Sequence, residues 1–147
     1  MLTASLESED GGELLRVAIP PRSEHLHAIR QLLDGMDLAE DTLRDATLLT
    51  TELVTNSIRH ADLSPDDLIE VTAVRSGSRL RITVRDRGSV RPPAHVLAGS
   101  IRPTPGARSG WGLYLVDRLA SRWGTDLGDT VGFWFELEER PGRERDA

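Results

Sequence analysis

Apolar residues recur along this chain with two different periods, and the switches between them lay out its elements. The run Leu14-Leu15-Arg16-Val17-Ala18-Ile19 reads as a strand stopped by Pro20-Pro21. Leu26, Ile29, Leu32 and Leu33 follow at helical spacing, with Ser23 available as an N-cap and Gly35 as the stop. A longer helix is predicted over 41–61, with Leu43, Ala46, Leu49, Leu53 and Ile58 available to pack. After a loop at Pro65, strands are expected near 69–75 and 80–85 around a turn containing Gly77. Arg79-Leu80-Arg81-Ile82-Thr83-Val84-Arg85 alternates polar and apolar with period two. The period returns to helical through Leu113, Leu115, Val116 and Leu119, and two more strands, 121–126 and 131–138, close the pattern around Gly128. One antiparallel or mixed sheet with helices on one face makes a two-layer α/β sandwich.

Composition narrows the class. With 147 residues, 38% hydrophobic and 29% charged, the chain fits one globular domain with a substantial core. That domain is expected over 13–139. The acidic lead 1–12 and the arginine- and glutamate-rich end 140–147 read as disordered tails. The absence of cysteine excludes disulfide frameworks, thiol catalysis and thiolate metal sites. A net charge of −6 argues against broad attraction to nucleic acid or membrane surfaces. Apolar stretches are broken by charge well before a bilayer-spanning length, and the acidic N-terminus is no signal peptide, so a cytoplasmic location is expected. His25, His27 and His95 have no metal-ligand spacing, and His60 reads as a structural or rim residue.

The chemistry-bearing residues fall in three segments. Glu52 and Asn56 are four apart on the long helix, so their side chains stand one above the other and can converge on one small target. A hydrated Mg2+ suits them, because magnesium takes hard oxygen ligands, keeps several waters and is usually shared with substrate phosphates. Asp86 in Asp86-Arg87-Gly88 sits at a strand end beside a glycine turn, where a carboxylate can accept an amino hydrogen. Gly110-Trp111-Gly112-Leu113 opens a helix, and the free amides and positive dipole end there accommodate an anionic phosphate chain. Each segment alone is weak, since a polar helix face, a turn or a glycine-led helix start has an ordinary structural explanation. Their ordered combination is the informative signal. Trp123, Phe133, Trp134 and Phe135 are expected as core or sheet-packing aromatics, with Trp111 set apart between the two glycines.

In order and spacing, these segments resemble the GHKL ATP-binding fold shared by gyrase, heat-shock chaperone, histidine kinase and mismatch-repair ATPases. Glu52-Leu-Val-Thr-Asn56-Ser-Ile-Arg-His60-Ala61 and the stretch Gly110 to Gly124 look like the anti-sigma-factor serine/threonine kinases, a short bacterial branch, and the resemblance spans roughly Leu14 to Leu137. It implies the strand order of that fold, ATP with Mg2+ as ligand, and a sigma factor or a small antagonist protein as partner. By the same resemblance Asn56 coordinates the metal, Glu52 is the general base or orients water, and Asp86 reads the adenine amine beside Gly88. Gly110, Trp111, Gly112 and Leu113 border the phosphates, the segment from Arg91 to Ser109 forms a short lid, and Arg108 reaches the transferring group. Homodimers are common in that branch. The glycine often found two residues after Gly88 is Val90 here, and Pro92-Pro93 stiffens the exit from the site. Serine/threonine kinase activity is the first expectation. A nucleotide-gated protein-binding module and a detached histidine-kinase catalytic domain are the alternatives.

Overall fold

The computed structural model describes residues 13–60, 63–86, 111–127 and 130–139. Five strands, β1 (Glu13–Ile19), β2 (Ile69–Ser76), β3 (Arg79–Asp86), β4 (Arg122–Leu127) and β5 (Val131–Glu138), form one sheet in the order β1-β2-β3-β5-β4. Every pairing is antiparallel, which settles the choice the pattern left open. Among the described residues three helices, α1 (Leu26–Asp34), α2 (Glu40–His60) and α3 (Trp111–Leu119), complete the sandwich. Both tails and the lid segment lie outside the described residues.

The sheet separates its two faces because strand side chains alternate. Register carries the inward row Val17, Val71, Val84 and Phe133 across four strands, with Leu15, Ala73, Ile82, Phe135 and Trp123 as the next row. Against these rows pack Ile29 and Leu33 of α1, Ala46, Leu49, Leu53 and Val54 of α2, and Val116 of α3, in one continuous core. Leu43 and Ile58 pack at its margin. Gly77 lies at φ 59 in the two-residue turn between β2 and β3, a position where a side chain would be strained.

Two local expectations are corrected, and one alternative is decided. Ser23 does not cap α1: it begins a 3-10 turn, Ser23–His25, that leads into Leu26, and the capping position before that turn makes no side-chain bond. The short turn supplies its own i to i+3 bonding, with the His25 N–H donating to the Arg22 carbonyl. Leu119, placed by period in the apolar stripe of α3, is 40% exposed because the helix ends there and the chain turns into β4. Trp134, expected in the core or packed on the sheet, takes the second place. It lies flat on the outer face of the sheet, with the Arg81 guanidinium 4.1 Å from its ring centroid and Gly124 beneath it. A Cβ at Gly124 would sit 2.7 Å from the indole.

Long-range polar contacts lock the far end of the sandwich. Ala39, whose carbonyl accepts the first helical bond of α2, donates its own N–H to Glu139 Oε1 at 2.8 Å. The other oxygen of Glu139 takes Arg75 Nη2, whose Nη1 donates to the Met36 carbonyl. A carboxylate 100 residues away in sequence thus sits at the positive end of the α2 dipole. On the outer face Glu136 is only 1% exposed, covered by the guanidinium groups of Arg79, Arg81 and Arg122. Arg81 donates to its Oε1, while the Nε–H of Arg79 is directed to Glu138, so Oε2 gains charge but no hydrogen bond. Burial pushes the Glu136 carboxyl up, and the Arg81 hydrogen bond with the three arginine charges outweighs it, leaving the group below its ordinary 4.5.

Candidate nucleotide site

Chain direction brings the three motif segments to one end of the sandwich. The first turn of α2 is tied to Glu139, just beyond the last residue of β5. Its last turn leads, within nine residues, to Ile69 at the start of β2, where the next rung pairs Glu70 with Arg85 beside Asp86. The C-terminal half of α2, with Glu52 and Asn56, therefore runs toward the Asp86 end of the sheet. The third helix ends where β4 begins opposite Glu136, well along β5 from the Asp86 partner Val131. Its first turn, Trp111 and Gly112, is thus the end nearer Asp86.

Glu52 and Asn56 are both half-buried, while Leu49 and Leu53 on the adjoining face are buried in the core. Among the described residues neither makes a side-chain hydrogen bond or ion pair, so the pair is not committed to a structural contact there. No cluster of three or more His, Cys, Asp or Glu capable of holding a metal occurs among the described residues. A magnesium site here would consequently rest on one or two protein oxygens plus phosphate oxygens, the donor set that Asn56 and its neighbour fit.

Asp86 is the last residue of β3, faces the helices and is 7% exposed. It lines a concavity of about 350 Å³ together with Arg85, Thr130, Asp66, Asp67 and Glu70, among others. Gly88, Arg108 and Gly110 lie outside the described residues, and of Trp111, Gly112 and Leu113 only the helical backbone is described. Not anticipated from sequence is the contact beside Asp86, in which Arg85 reaches Thr130 at 2.9 Å and Asp126 at 2.7 Å. Those partners are 45 and 41 residues away, and no local spacing announces them.

Among the described residues no helix is long and apolar enough to cross a membrane. The fold is similar to that of the RsbU and RsbW domains of Rv1364c from Mycobacterium tuberculosis, with a TM-score of 0.64 at 19% identity over 88% of this chain. It is also similar to the histidine kinase domain of the blue-light activated histidine kinase EL346 from Erythrobacter litoralis, with a TM-score of 0.53 at 21% identity over 82% of this chain. The chain spans 34% and 62% of those two structures respectively. No curated protein sequence matches it. The model of the histidine kinase-like ATPase domain matches residues 19–131, most of the chain, and the chain belongs to that family.

Proposed function

We propose that this chain binds Mg-ATP between α2, the end of β3 and the first turn of α3, and transfers the γ-phosphoryl group to a serine or threonine of a small antagonist protein. A sigma factor is the second partner, as in anti-sigma-factor kinases. Family membership implies ATP as ligand, and the RsbW domain in the similar mycobacterial structure supports the anti-sigma assignment. The observation that carries the reading is that the half of α2 bearing Glu52 and Asn56 runs toward the end of the sheet where Asp86 ends β3, the end nearer the first turn of α3.

The residues divide the work. Asp86 accepts a hydrogen from the adenine amine, and Gly88 admits the base. Gly110 and Gly112, with Trp111 and Leu113, border the phosphates at the helix start, where backbone amides and the dipole favour negative charge. Bound magnesium would be held by Asn56 and would neutralise phosphate charge. Glu52 takes the proton of the acceptor hydroxyl as its oxygen forms the new bond to phosphorus, and ADP leaves with the electrons of the broken one. Arg108, from the segment between β3 and α3, stabilises the transferring group. In the assay, labelled γ-phosphate passes to the cognate antagonist, and Glu52→Ala and Asn56→Ala each lower the rate at least about a hundredfold. Full transfer by both variants contradicts the assignment.

Transfer to histidine is the second reading, favoured by the likeness to the Erythrobacter kinase domain. Acid stability of the phosphorylated product separates the two, since phosphoserine survives acid and phosphohistidine does not. A nucleotide-gated binding module would retain its partner with ATP and transfer nothing.

A further inference from the structure

We propose that Arg85 is a positioning residue for the base-reading end of the site, holding the β4–β5 hairpin against the strand end that carries Asp86. This rests on the adenine-reading role proposed for Asp86. The two residues are consecutive on β3, so Arg85 stands on the outer face while Asp86 faces the helices. From β3 the guanidinium crosses β5: Nη1 donates to Oγ1 of Thr130, just before β5, at 2.9 Å, and Nη2 to Oδ2 of Asp126 on β4 at 2.7 Å. The crossing passes over Gly132, which pairs with Arg85 on one side and Asp126 on the other. A Cβ at Gly132 would lie 3.1 Å from Nη2 and 3.2 Å from Cζ, tighter than side chains normally pack, so the glycine keeps the path open.

One planar fork therefore ties β3 to β4 and to the residue just before β5, at the rung immediately before Asp86, the last rung of β3. Asp86 itself stands opposite Val131, between Thr130 and Gly132, so the segment that Arg85 holds is the segment that Asp86 is paired with. Arg85, Asp86 and Thr130 also share one concavity. The side chains of Arg85 and Asp126 are 32% and 61% exposed, and ion pairs with that access to water contribute little to global stability. The consequence of the clamp is geometric: it sets where the Asp86 carboxylate stands.

The test compares ATP and GTP affinities, with magnesium, of the wild type, Arg85→Ala and Asp126→Asn by calorimetry, alongside thermal melts. A guanine carbonyl would face the Asp86 carboxylate where adenine offers an amine, so wild type favours ATP. Arg85→Ala is expected to stay folded and to lose about tenfold in ATP affinity, the loss of one hydrogen bond to a charged group, with less change for GTP. The preference for ATP narrows accordingly. Asp126→Asn, which leaves the clamp one neutral partner more, narrows it less and in the same direction. An unaltered preference in both variants overturns the proposal while leaving the role of Asp86 standing. A wild type that binds ATP and GTP alike overturns the role of Asp86 and the proposal with it.

Discussion

Among the described residues the Thr50 hydroxyl, fully buried in α2, has no hydrogen-bond partner, an uncompensated cost beside the buried Ala46, Leu49 and Val54 of the same helix. Replacing it with valine keeps the branched shape and removes that cost. Thr50→Val is expected to stabilise the fold by about 1 kcal/mol, read as a rise of a few degrees in the melting midpoint; an unchanged or lower midpoint would show that the hydroxyl is satisfied in solution. Glu136 has the opposite balance. Its carboxyl titrates below the ordinary 4.5, so its ion pairs contribute fully above that pH and fade as pH falls through the lower folded value. Glu136→Gln should therefore cost roughly 1–3 kcal/mol at neutral pH, less than a core pair because the guanidinium groups face water. Denaturation of both proteins from pH 7 to pH 3 checks the sign, since the difference between them should shrink on acidification.

At the scale of elements, most of the architecture was legible because its determinants are local. Alternation from Arg79 to Arg85 specified a strand with one buried face, and Leu49 and Leu53 specified the buried stripe of α2, as found. Failures came where an element ends or where distant strands meet. Ser23 has the right chemistry for a cap, yet the chain enters α1 through a 3-10 turn. For Trp134 the choice between core and sheet packing was not legible, because only the pairing of β5 with β4 shows that Gly124 makes room for it on the outer face. Gly124→Ala would force a Cβ into the indole and should cost about 1–3 kcal/mol in denaturant unfolding. The cap of α2 by Glu139 was equally illegible, since its partners lie 100 residues apart. Glu139→Ala should lower stability by about 1–2 kcal/mol and speed amide exchange in the first turn of α2. Exchange changed elsewhere but not there would contradict the capping role.

For the whole molecule, the sandwich works as a frame with two differently finished ends. The far end is closed by Arg75, Glu139 and the start of α2, while the other end gathers Glu52 and Asn56, Asp86 and the first turn of α3. The residues proposed for the site stand out in the sequence as three spaced motifs, because each motif is short and carries its own chemistry. The bracing around Asp86 was not legible, because the partners of Arg85, Asp126 and Thr130, lie 41 and 45 residues away. The measurement that tests the central claim most directly is calorimetric titration of the protein with ATP, with and without magnesium, for wild type and Asn56→Ala. Saturable binding that strengthens with magnesium in the wild type, and loses that dependence in Asn56→Ala, is the expected result. No binding at millimolar ATP, or equal magnesium dependence in both proteins, would contradict a nucleotide site built on the Glu52–Asn56 face of α2.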